Sequence, residues 1–223
     1  CNMSKATLAS PDQAPVQAPK QPFWRTFMNK YIRPAVVLTL LLTILTGLIY
    51  PGVVTALAQL IFPYQANGSL HYVNGKLVGS DLIGQYWTSP RYFHGRPSAT
   101  LNPNGTPSPY EADNSSASNL GPTSATLIKE VQQRVTELKK ENPNAPPGPV
   151  PVDLVTTSGS GLDPDITVAA ALYQVPRIAA ERGLSQSVVQ QLVMDHVHGR
   201  FLFIFGEPYI NVLELNLALD GLK

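Results

Sequence analysis

Chemistry, if this chain performs any, has few places to reside. Ser158-Gly-Ser-Gly161, followed by Leu162-Asp163-Pro164-Asp165 and a capped run from Thr167, forms a glycine-rich turn leading into a helix. The backbone N–H groups of such a turn can receive an anion. The turn has neither the Lys and Ser/Thr of a Walker loop nor the order G-x-G-x-x-G. It therefore reads first as a tight structural turn, with Ser158, Gly159, Ser160 and Gly161 kept as anion-loop candidates. Ser158 or Ser160 as a nucleophile lacks a G-x-S-x-G setting and an assignable acid–base partner. Asp195, His196 and His198 crowd a helix end, where a metal site or a general base is conceivable. Histidines at i and i+2 fall on different helix faces, and no H-E-x-x-H occurs, so these read as surface or structural side chains. His71 and His94 stand alone. On these grounds the chain has no assigned catalytic residue, no metal-ligand set and no cofactor.

The element that must carry everything else is the uncharged stretch from Ala35 to Phe62. The sixteen residues Ala35 to Tyr50 would rise only about 24 Å, short of a hydrocarbon core of about 30 Å, so the span must continue past Pro51 and Gly52. That pair predicts a kink near the far interface. Lys20, Arg25, Lys30 and Arg33 precede the span with no acidic residue among them, and the next Lys or Arg is Lys76. This asymmetry predicts a cytoplasmic N-terminus and an exported C-terminal part. Ala56-Leu57-Ala58 imitates a signal-peptidase site, which would release a soluble protein by cleavage before Gln59. The long segment before Arg33 and the length of the apolar run favour a retained anchor.

The expected organisation is a disordered cytoplasmic tail over residues 1–22, an interfacial segment and transmembrane helix over 23–64, and one extracytoplasmic domain over 65–223. The tail carries Pro11, Pro15, Pro19 and Pro22 among Ala, Gln and Ser, with little to bury. Phe23, Trp24, Phe27, Met28 and Tyr31 alternate with basic residues, as where a helix enters a headgroup layer. In the domain, Asn74-Gly75 predicts a hairpin turn. Residues 102–121 predict a long irregular surface segment. A helix capped by Thr123 or Ser124 should end before Pro143. Val152 to Thr156 predicts a short strand, and Phe201 to Phe205 a buried strand. A helix from Thr167 is closed by Gly183, with Pro176 able to kink or restart it; a second starts at Ser185 and ends at Gly199. Asn211 to Leu219 fits helix or strand. The fold class is thus α+β: one N-terminal transmembrane helix followed by a single mixed domain.

Net charge is +1, which offers no field suited to nucleic acid. The sole cysteine is Cys1, so the domain has no disulfide or thiolate framework. Asn67, Asn104 and Asn114 match the glycosylation pattern, which matters only on a eukaryotic secretory route.

Several long motifs in one order carry more information than any of these. They are RPAVVLTLLLTILTGLIYP, VGSDLIGQYW, YFHGRPSAT, SNLGPTS, VPVDLVTTSGSGLDPDIT, QVPRIAAERGL and GRFLFIFGEPYINVLELNLAL. From Arg33 to Leu219 the chain resembles the C subunit of the bacterial Kdp potassium-transporting P-type ATPase. Asp165 and Thr167-Val168 depart from that family's usual His and Ser-Pro. The resemblance implies a non-catalytic accessory subunit in the inner membrane, partnered by a channel-like potassium-binding subunit, an ATP-hydrolysing pump subunit and membrane lipid. ATP and potassium then act at the level of the complex. The family is also described as a chaperone that raises the pump's affinity for ATP. Omission agrees, since neither a D-K-T-G phosphorylation motif nor a T-V-G-Y-G filter occurs here. Two other classes stay open: an anchored extracytoplasmic module that binds a ligand through the SGSG loop without a pump, and an anchored hydrolase.

Overall fold

The structure, a computed structural model, describes residues 22–222. The expected tail, apart from Pro22, lies outside them, as do Cys1 and Lys20. The chain divides into two compact units, the first ending at Leu60 and the second starting at Ile61.

The described residues from Phe23 to Ile61 form one continuous helix. It joins α1 (Phe23–Phe27), α2 (Arg33–Ile44) and α3 (Tyr50–Ile61) through five-residue π-helical turns at Met28–Ile32 and Leu45–Ile49. Its 39 residues rise about 58 Å, well beyond a hydrocarbon core of about 30 Å, so an aromatic and basic first third is left for the headgroup layer. There Phe27 and Tyr31 lie 5.5 Å apart and Lys30 sits 5.3 Å over the Tyr31 ring. The helix does run past Pro51. Pro51 has no N–H, and its ring crowds the carbonyl one turn back. The ladder answers just upstream, where the Tyr50 N–H donates to Leu45 O across a widened turn.

In the second unit a short α4 (Pro63–Ala66) leads to an antiparallel hairpin of β1 (Leu70–Val73) and β2 (Lys76–Ser80). Asn74 and Gly75 both take positive φ, 52° and 75°, the conformation a two-residue turn needs to match strand twist. α5 (Ala125–Glu141), α6 (Val168–Arg182), α7 (Gln186–Asp195) and α8 (Val212–Gly221) follow. Before α6 and before α8 stand β3 (Asp165–Thr167) and β4 (Tyr209–Asn211), paired antiparallel with Ile166 opposite Ile210.

Each of the four longer domain helices, α5 to α8, begins at a side-chain oxygen. Ser124, Thr167, Ser185 and Asn211 accept from Leu127, Ala170, Val188 and Leu213 N–H. Each such cap contributes about 1 kcal/mol. Gly183 ends α6 at φ +68°, which a residue without Cβ adopts at no steric cost. The core lies where α6, α7, α8 and the β3–β4 pair meet, around Ala170, Ile178, Val189, Val193, Ile210, Leu215 and Leu219.

Four expectations change. Val152–Leu154 is a 3-10 turn, not a strand, because the Asp153 carboxylate turns inward to accept the Thr167 N–H at 2.7 Å. Phe201–Phe205 is neither buried nor a strand. Leu202 and Phe203 adopt positive φ, so the chain folds back and Phe201 bridges Phe205 at the end of an exposed loop. α7 stops at Asp195, short of Gly199, with His196 as its C-cap. Pro176 lies inside a continuous α6 and does not restart it. The open choice at 211–219 resolves to helix, because Asn211 Oδ1 accepts from both Leu213 and Glu214 N–H.

Candidate functional site

The segment 93–94 has no strand of its own, yet its backbone is paired on both sides by buried amides. Asn216 Oδ1 accepts from Phe93 N (2.8 Å), and its Nδ2 donates to Phe93 O (3.0 Å). Gln174 does the same for His94, at 2.8 and 3.1 Å. Beside them Arg177, only 3% exposed in its side chain, donates to Asn142 Oδ1, Gln174 Oε1 and the carbonyls of Pro90 and Tyr92. This network joins α5, α6, α8 and the YFHGRPSAT segment. His94 ends 3.3 Å from Glu141. Burial, and then the Arg177 charge, pull its pKa below the usual imidazole value.

The SGSG loop is a clip. The Gly161 N–H donates to Ser158 Oγ (2.9 Å) and the Leu162 N–H to Ser160 Oγ (3.1 Å). The outward groups hold the long irregular segment: Ser160 O accepts from Ser116 N and Ser115 Oγ, and Gly161 O from Ser98 Oγ. Two of the amides that an anion would need are therefore already occupied by the loop's own hydroxyls.

A different grouping carries more chemistry. Asp81, at the end of β2, receives His71 Nε2 from β1 on Oδ1 and Tyr64 Oη on Oδ2 (2.7 Å). Across from it, in the first turn of α8, Glu214 Oε2 lies 3.1 Å from His198 Nε2. One ligand atom from each of His71, Asp81 and Glu214 falls within 4.8 Å of the others. These are the described residues that could hold a metal. Asp81 and Glu214 border a pocket of about 330 Å³ whose lining also includes Asp165 and His198 and, among the described residues, no Lys or Arg. Burial, then the neighbouring Asp163, push the Asp165 carboxyl up to about 6, against the hydrogen bond from Asn211. Sequence spacing left His71 isolated and His198 paired with His196. The fold instead sets His71 against Asp81 and His198 against Glu214, while His196 has its Nδ1 2.8 Å from Leu192 O.

The same pocket stands at the root of the Phe201–Phe205 loop. The His198 and Tyr209 backbones bond to each other in both directions at 2.8 and 3.1 Å, and their rings stack at 5.0 Å. Beyond that base, Arg200 pairs with Glu207 (2.7 Å), and five consecutive apolar side chains project outward. Phe203 is 95% exposed and none of the five is below 62%.

A protein-family model described as the c chain of the K+-transporting ATPase, KdpC, matches residues 32–221. The chain belongs to the KdpC family. Proteins named potassium-transporting ATPase KdpC subunit are similar to it along nearly their whole length. The one from Rhodopseudomonas palustris strain BisB18 is 57% identical over 202 residues, covering 88% of this chain and all of that protein. Those from Methylobacterium nodulans and Bradyrhizobium diazoefficiens are 56% and 55% identical, each covering 98% of the relative and 87% and 86% of this chain. A KdpC chain is an accessory subunit of the potassium-transporting ATPase, not its catalytic unit, and the long apolar helix fits a membrane location. Its motifs meet in space: YFHGRPSAT, QVPRIAA and NVLELNLAL share the Asn216–Gln174–Arg177 network.

Proposed function

We propose that this chain holds the potassium-transporting ATPase together from the outer side of the membrane, with its domain over the external potassium entrance of the channel-like subunit. The observation that carries this reading is the apolar tip. Five large apolar residues in one exposed run are unusual for a domain that stands alone in water, and such patches mark interaction sites. In a family whose members are subunits of one ATPase, the economical occupant of that tip is a neighbouring subunit. The acidic pocket at its root would add a negative potential that attracts cations. The basic flank before the span supports a cytoplasmic N-terminus. An exported domain cannot touch cytoplasmic ATP, so any chaperone effect on nucleotide binding by the pump subunit would pass through the helix.

A reporter fused after Lys223 should be active only outside the cytoplasm. Deletion of the gene should abolish growth on micromolar potassium, and restoring the chain should recover it. Cytoplasmic reporter activity or undiminished growth would contradict the proposal.

A further inference from the structure

We propose that His71, Asp81 and Glu214 bind one divalent transition-metal ion of the zinc type, a site that ties the β1–β2 hairpin to the start of α8. Three kinds of observation converge. The donors come from three separate places in the chain, the hairpin's first strand, the end of its second and the first turn of α8, yet one ligand atom of each lies within 4.8 Å of the others. Ligands at about 2.0–2.2 Å from a tetrahedral zinc lie about 3.3–3.6 Å apart, so the set reaches that geometry by side-chain shifts on the order of 1 Å, with His71 and Asp81 moving apart. Each carboxylate is also oriented from outside the set: Tyr64 Oη holds Asp81 Oδ2, and His198 Nε2 holds Glu214 Oε2. Outer partners of this kind orient metal ligands.

The pocket is also short of positive charge. It gathers Asp81, Asp165 and Glu214 without a described Lys or Arg in its lining. An imidazole nitrogen among the donors selects zinc-like ions over magnesium, calcium or potassium, which prefer all-oxygen shells. With three protein ligands, the fourth position faces the pocket and takes water. His71 would give up its bond to Asp81 and present Nε2 unprotonated, with its ring proton on Nδ1. Because His198 and Tyr209 close the base of the apolar loop, an ion here would stiffen the root of the tip.

The test uses the full chain in detergent, with any affinity tag removed, stripped with EDTA and titrated with zinc alone against a chromogenic chelator. One zinc per chain is expected, undisplaced by excess magnesium, with a rise in the unfolding temperature as zinc saturates. His71→Ala and Glu214→Gln should each weaken binding about tenfold or more, while His196→Ala leaves it unchanged. Unfolding of each variant in metal-free buffer establishes that it is folded. Asp81→Asn, close in shape to the parent, replaces any variant that is not. Absence of saturable binding, equal affinity in the site variants, or loss only in His196→Ala would overturn the proposal.

Discussion

Replacing Arg177 by alanine is expected to cost about 3–5 kcal/mol, the range found when one partner of a buried charged network is removed. Its side chain is 3% exposed, and its guanidinium satisfies the Pro90 and Tyr92 carbonyls, Asn142 and Gln174 at once. Truncation strands those acceptors inside the protein and leaves Glu141, 3.9 Å away, without its nearest guanidinium. A domain of this size has about 5–15 kcal/mol in total, so the variant should unfold well below the parent in denaturant. Arg177→Lys should recover only part of the loss, because an ammonium cannot span the same fork of acceptors. Parent-like stability of the alanine variant, read from chemical unfolding of the full chain in detergent, would remove this network from the account.

The second large effect is expected at Gly161. Its φ of +70° already costs an L-residue about 1–2 kcal/mol. A Cβ there would come within 2.6 Å of Ser116 O and 2.7 Å of Thr100 Cγ2. Adding overpacking of about 1–3 kcal/mol, Gly161→Ala should destabilise the domain by about 2–5 kcal/mol. Gly159, with nothing within 4 Å of its would-be Cβ and no positive φ, provides the control, and Gly159→Ala should be nearly silent. Equal effects at the two glycines would contradict the role of the loop as a clip for residues 98–118.

These two positions differ in how visible they are before the fold is known. The SGSG turn announces itself locally through glycine and serine, as do the helix caps and the Asn74-Gly75 hairpin, because each works between near neighbours in the chain. Arg177 looks like one more polar residue of an amphipathic helix until the carbonyls of Pro90 and Tyr92 are seen against it. The histidine–carboxylate pocket is hidden for the same reason. His71 and Asp81 belong to one hairpin, whereas Glu214 arrives from the far end of the chain, at a place where the Asn211 side chain donates to the Asp81 carbonyl. The run FLFIF misleads in the opposite sense. Apolar composition reports that a segment seeks cover, not that its own domain provides it, and the positive φ of Leu202 and Phe203 turns these side chains outward. Likewise Val152 to Thr156 has strand composition, but the pull of Asp153 on the Thr167 N–H winds it into a turn.

Exposure of that loop is where sequence, fold and the proposed role meet, and one measurement addresses it directly. The parent chain and a Phe201→Ser, Phe203→Ser double variant are each used to recover the channel-like and pump subunits from detergent-extracted membranes. Burying a phenylalanine is worth about 1.5–3 kcal/mol, and about 1.4 kcal/mol is tenfold in affinity. The parent should therefore retain both subunits and the variant should lose them by about tenfold or more, while its unfolding stays close to the parent's because neither residue belongs to the core. Full retention of both subunits by a folded double variant would contradict the claim that this tip is the assembly surface.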